Sequence, residues 1–178
     1  MNKGYIHVYT GNGKGKTTAA FGLALRAVCA GKNVFIAQFV KSLKYSETRV
    51  QELLANADDS FGKIEIRQLG RGCFLDRSPE HIDVEMAQQA LEFCRQLLSS
   101  DKWDVVILDE ISIAVYFNLL TVQEVVDVLN GRTSSAEVVI TGRKAPQEFL
   151  DMADLVTDMQ EVKHYYQQGV LSRKGIDC

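Results

Sequence analysis

Short apolar runs recur along the chain, separated by longer stretches in which apolar residues return every three or four positions. The runs Tyr5 to Tyr9, Val34 to Val40, Ile64 to Leu69, Val105 to Leu108 and Val138 to Ile140 predict strands, with a further short one at Leu155 to Val156. Most are continuous rather than alternating, as in parallel strands covered on both faces. The stretches between them predict helices. Thr17 to Ala30 ends at Gly31, which takes a left-handed turn without a Cβ penalty. Ser46 to Asn56 is a more polar helix. Ser78-Pro79-Glu80 predicts a serine cap and an N1 proline opening a helix that runs to about Leu98. Thr121 caps Val122 to Leu129, and Pro146 starts a short helix through Met152. Alternation of this kind predicts a single α/β domain over 1–178, a mostly parallel sheet with helices on both faces.

Composition narrows the setting. With 46% hydrophobic residues in 178, the chain has material for a sizeable core. A net charge of −3 and the lack of any long basic run argue against nucleic acid as the main partner. No apolar run approaches the roughly 20 residues of a membrane helix, and no opening stretch reads as a signal peptide. Cys29, Cys73, Cys94 and Cys178 have neither paired nor metal-type spacing and read as reduced thiols. These features predict a cytoplasmic protein that does not engage a membrane.

The candidate chemistry begins ten residues into the chain. Thr10-Gly11-Asn12-Gly13-Lys14-Gly15-Lys16-Thr17-Thr18 lies between the first strand and the first helix, the layout of a phosphate-binding P-loop. Glycines let successive backbone N–H groups turn inward around an anion, and the helix N-terminus adds partial positive charge. Lys16 would reach the terminal phosphates of a nucleotide and the Thr17 hydroxyl would ligate Mg²⁺. The strict pattern would put its first glycine where Thr10 stands; Gly11 instead makes the loop one residue shorter.

In an open parallel sheet the ligand sits beyond the carboxyl ends of the strands. Lys41, Gly70-Arg71-Gly72, Asp109-Glu110 and Thr141-Gly142-Arg143 follow four of the predicted strands and so converge on one rim. Asp109-Glu110 resembles a Walker B element, a second half of a metal site; either acid could be the direct ligand, with Glu110 favoured and Asp109 acting through water. The alternative reading of Asp109 is an acidic N-cap of the helical segment after it. Lys41 and Arg143 are candidates for holding the far end of a polyphosphate. His7 reads as a strand residue without chemistry, and His81 and His164 stand at no metal spacing. No obvious general base is present beyond the two acids, so a reaction whose nucleophile arrives already activated suits this set.

These residues resemble the P-loop type of ATP:corrinoid adenosyltransferase, nearly end to end. The matching segments are Tyr9 to Gly22 with its shortened loop, Gln38-Phe39-Val40-Lys41, Val106 to Glu110, Ile140-Thr141-Gly142-Arg143, Val162-Lys163-His164 and Gly175-Ile176-Asp177. The resemblance implies transfer of the 5′-deoxyadenosyl group of ATP to the Co(I) of a reduced corrinoid, with release of triphosphate. Thr10 to Thr18 would bind the nucleotide. Lys16, Lys41 and Arg143 would stabilise the leaving group, and Thr17, Glu110 and Asp109 would hold Mg²⁺ or Mn²⁺. It further implies a nucleotide lying reversed in its loop, a recombinase-like sheet, a homodimer and a flavodoxin-type electron donor.

The sequence departs from the family at three places. Members often carry an N-terminal helical extension, and here the first strand follows Met1 almost directly. Some carry paired aromatics after the third strand, where this chain has Gly72-Cys73-Phe74-Leu75-Asp76. Cys178 stands where an aromatic often ends the family sequence. Two other readings stay open from the residues: a small-molecule kinase or NTPase using the loop in its ordinary orientation, and a nucleotide- or corrinoid-binding carrier without turnover.

Overall fold

A computed structural model describes residues 4–41, 45–72 and 78–177. Six strands form one sheet: β1 (Ile6–Thr10), β2 (Val34–Gln38), β3 (Ile64–Gln68), β4 (Val105–Asp109), β5 (Glu137–Thr141) and β6 (Leu155–Asp158). Their spatial order is β3-β2-β4-β5-β1-β6, and every neighbouring pair is parallel. All carboxyl ends therefore share one rim. Strand β5 lies between the strand that feeds the glycine-rich loop and the strand that ends in Asp109.

Side chains on successive strand residues point to opposite faces, which divides the core in two. Val34, Ile36, Val105, Ile107 and Val139 meet helix α1 (Lys16–Cys29) through Ala20, Ala24, Ala27 and Val28. On the other face, Phe35, Val106, Leu108, Val138 and Ile140 are covered by α3 (His81–Leu97), α4 (Ile111–Tyr116), α5 (Val122–Asn130) and α6 (Gln147–Met152). Strands β2 and β4 are buried along their whole length, which is why their sequences read as unbroken apolar runs. The edge strand β6 is exposed throughout. No helix of the described residues is long and apolar enough to cross a membrane.

Two expected helices differ in detail. The polar segment from Ser46 divides into a 3-10 turn, Ser46–Arg49, and a short α2 (Val50–Leu54), neither with a buried residue to hold a longer helix. Helix α3 starts at His81, later than the Ser78-Pro79 signal indicated. Its cap is Glu80, whose backbone N–H donates to Asp83 Oδ2 at 2.8 Å. The buried Asp83 side chain thus closes the first turn in place of serine. Thr121 caps α5 as expected, accepting a hydrogen bond from the Glu124 N–H.

Candidate active site

Strand β1 runs into the glycine-rich loop, and the loop packs against the chain that leaves β6. Gly13 N–H donates to Met159 O at 2.6 Å, and Met159 N–H donates to Thr10 O at 2.9 Å. This contact explains two of the glycines. Gly11 has φ +97°, and a Cβ there would lie 2.3 Å from Asp158 Oδ1; one on Gly13 would lie 2.6 Å from Met159 O. Gly15 precedes α1 without a side-chain cap, so the N–H groups of the first turn stay available to an anion. The buried Lys16 side chain turns back over the loop, where its Nζ donates to Gly11 O at 2.8 Å and Gly13 O at 2.7 Å. Burial lowers the Lys16 pKa, and the negative charge of Glu110 opposes that shift.

Asp109, at the end of β4, is fully buried and is a hub for four donors. Its Oδ1 accepts from Thr17 Oγ1 at 2.8 Å and from Thr141 Oγ1 at 2.7 Å. Its Oδ2 accepts from Gln38 Nε2 at 3.0 Å and from Lys41 Nζ at 2.8 Å. Burial alone would lower the Lys41 pKa, but the adjoining Asp109 carboxylate carries it above the ordinary lysine value. Lys41 Nζ also stands 3.4 Å from Thr17 Oγ1. The sheet register makes this possible: Gln38 and Asp109 are direct partners across β2 and β4.

Glu110 is the strained member. Its φ of +62° is left-handed, a region that costs a non-glycine residue on the order of 1 kcal/mol or more. That turn carries the chain from β4 into α4, and the Thr141 hydroxyl accepts a hydrogen bond from the Glu110 N–H at 2.9 Å. The carboxylate itself accepts no hydrogen bond from the described residues. Burial, reinforced by the negative charge of Asp109, raises its pKa; Lys41, Lys16 and Arg143 pull in the other direction. A half-buried carboxylate, on a strained backbone and beside a second one, is placed to meet a cation.

Around these groups opens a cleft of about 790 Å³. Six of the nine loop residues line it: Gly13, Lys14, Gly15, Lys16, Thr17 and Thr18. Thr10, Gly11 and Asn12 are not among the lining residues. Lys41, Glu110 and Arg143 complete the rim, Arg143 being exposed just past the end of β5. The volume is within the roughly 300–1,000 Å³ range of small-molecule sites. Arg71 does not join this rim: its guanidinium donates to Glu80 Oε2 at 3.0 Å. His7 pairs with Glu137 Oε1 at 2.7 Å, a link within the sheet.

Residues 2–178 match the sequence model of a family described as ATP:corrinoid adenosyltransferase BtuR/CobO/CobP. The chain belongs to the ATP:corrinoid adenosyltransferase family. It is similar to the corrinoid adenosyltransferase CobA of Salmonella typhimurium, 37% identical over 98% of this chain and 86% of that protein. The corrinoid adenosyltransferase of Escherichia coli K12 gives the same figures. That of Pseudomonas aeruginosa is 30% identical over 98% of this chain and 84% of its own length.

Within this adenosyltransferase fold, several contacts of the site were not foreseen from sequence. Gln38 and Thr141 are fully buried and orient Asp109 from the two neighbouring strands. Their signal was a polar residue ending an otherwise apolar strand. His164, named only within a tail segment, lines the cleft together with Tyr165, which no sequence signal singled out. The stretch from Cys73 to Asp76 and Cys178, where the chain departs from family patterns, lie outside the described residues.

Proposed function

We propose that this adenosyltransferase moves the 5′-deoxyadenosyl group of ATP onto the Co(I) of a reduced corrinoid and releases triphosphate. The observation that carries this reading is the convergence of Lys16, Lys41 and Arg143 with Glu110 on one cleft at the end of the glycine-rich loop. Co(I) is itself a strong nucleophile, so the demand on the protein falls on the leaving group. Attack at C5′ of ATP breaks the C5′–O bond, and both bonding electrons leave on triphosphate. Preorganised cations that meet this developing charge lower the barrier. Lys16 would grip the phosphates from within the loop, with Lys41 and Arg143 reaching them from the ends of β2 and β5. The loop N–H groups would add neutral donors. A shortened loop fits a nucleotide lying reversed, with its ribose toward the corrinoid.

The donor set also fits Mg²⁺ or Mn²⁺: the Thr17 hydroxyl and the Asp109 and Glu110 carboxylates are hard oxygen ligands. Glu110 would be a direct ligand and Asp109 would act through water, as its two oxygens already hold four donors. When bound, such a cation offsets the negative charge of the polyphosphate. The same family resemblance supports a homodimer, a recombinase-like sheet, a flavodoxin-type electron donor and a cytoplasmic location.

The experiment is an anaerobic incubation of the protein with chemically reduced cob(I)alamin, ATP and Mg²⁺. A new, light-sensitive Co–C absorption spectrum that depends on protein and ATP supports the reading. A tight complex with no Co–C bond, under full reduction, would overturn it in favour of a carrier.

A further inference from the structure

The last part of the chain, from Met159 to Asp177, lies over the glycine-rich loop although it has little apolar anchorage. Val162 is 96% exposed and Leu171 72%. Polar contacts hold the segment instead. Tyr165 OH donates to Asp177 Oδ1. Asp177 Oδ2 accepts from the Arg173 backbone N–H at 3.1 Å and from Arg173 Nε at 3.2 Å. The Arg173 guanidinium in turn lies 4.7 Å from the centre of the Tyr165 ring. These three side chains close a knot between the 3-10 turn Tyr165–Gln168 and the final turn of the described chain.

The knot is tied to the nucleotide loop through one side chain. Lys14 Nζ donates to Ile176 O at 2.7 Å and stands 3.8 Å from Asp177 Oδ1. Lys14 also lines the cleft, and His164, Tyr165 and Tyr166 line it from the tail. The Asp177 side chain is 11% exposed. The Tyr165 hydrogen bond holds its carboxyl below the usual carboxylate range.

We propose that Asp177 is a positioning residue of the nucleotide site: by fixing the C-terminal segment against Lys14, it makes that segment the outer wall of the ATP cleft. Asp177 acts through Lys14 and Tyr165 and touches no reacting atom. Untying the knot would free both the Lys14 ammonium and the aromatic wall, and ATP binding would have to order them again. The effect falls on affinity rather than on the chemical step. This inference rests on the reading of the cleft as an ATP site.

The test is equilibrium binding of Mg·ATP by calorimetry to wild type, Asp177→Asn, Tyr165→Phe, Lys14→Met and the Lys14→Met/Asp177→Asn double variant, with melting temperatures measured alongside. Loss of a hydrogen-bonded carboxylate charge predicts an Asp177→Asn Kd raised about tenfold, and a smaller rise for Tyr165→Phe. In turnover, KM for ATP should follow the Kd while kcat changes by less than about twofold. Because Asp177 acts partly through Lys14, the double variant should lose less affinity than the sum of the two single losses. Asp177→Asn and Tyr165→Phe affinities equal to or above wild type would overturn the inference, as would fully additive losses. Absence of ATP binding by well-folded wild type would instead overturn the ATP-site reading itself.

Discussion

Thr17 Oγ1 donates to Asp109 Oδ1 at 2.8 Å, joining the first turn of α1 to the end of β4 across 92 positions of sequence. The bond places a loop hydroxyl against the acid at the strand end, with β5 lying between the two parent strands. Asp109 completes the arrangement with Lys41, Gln38 and Thr141, so the acid at the end of β4 and the glycine-rich loop belong to one hydrogen-bonded unit.

Asp109→Asn should therefore destabilise the protein as well as disable it. The amide would present an N–H group to donors and leave the Lys41 ammonium without its counter-charge. Breaking a buried pair in this way costs about 3 kcal/mol or somewhat more. Lys41→Met in the same chain should recover part of the loss, since it removes the orphaned charge. Urea unfolding of the two singles and the double checks this; a double less stable than Asp109→Asn alone would contradict the pairing.

Lys16 supplies the ammonium closest to the floor of the loop. Lys16→Ala should abolish adenosyl transfer while leaving the fold intact, because among the described residues the ammonium donates to the carbonyls of Gly11 and Gly13 within its own loop. Initial rates at saturating ATP give the answer. A rate near that of wild type would remove the loop from the mechanism.

Glu110 trades stability for position. Its folded pKa stands above the ordinary value of 4.5, chiefly through burial, so the folded state binds this proton more readily than the unfolded chain does. Its contribution to stability consequently falls as pH rises from 4.5 through the raised folded value, and the penalty persists above it. Glu110→Gln removes the titrating group. The ligand-free variant should be more stable than wild type at about pH 7 and should lose that advantage near about pH 4. The same change should weaken the response of transfer to Mg²⁺. Denaturant midpoints at the two pH values test the first point, and an advantage that grows toward acid would refute it.

The two described cysteines should differ sharply in reactivity. Cys94 is buried between α3 and the sheet, and desolvation pushes its thiol up to about 12, whereas Cys29 at the end of α1 is exposed. A maleimide applied to the native protein at neutral pH should label Cys29 and spare Cys94 until the protein unfolds. Peptide mapping by mass spectrometry reads this directly. Native labelling of Cys94 would mean that α3 opens from the sheet.

Much of the fold could be read from the chain because parallel strands buried on both faces leave continuous apolar runs, as in Val105 to Leu108. The site was legible where chemistry follows a strand end: Lys41, Asp109, Glu110 and Arg143 all fall on the rim with the loop. Other features depend on partners distant in sequence. Gln38 is a lone polar residue until the register sets it beside Asp109. The start of α3 depends on Asp83 turning back to Glu80, which outweighed the Ser78-Pro79 signal. The tail's place over the loop follows from Met159 and Lys14, contacts that no local pattern announces.

In the reaction proposed above, the loop and its cations hold triphosphate as a leaving group. Phosphorus NMR of the completed anaerobic reaction tests it, with the phosphate products counted against the adenosylated corrinoid formed. One triphosphate for each new Co–C bond is the expected result. ADP, or orthophosphate formed without a matching Co–C bond, would contradict it.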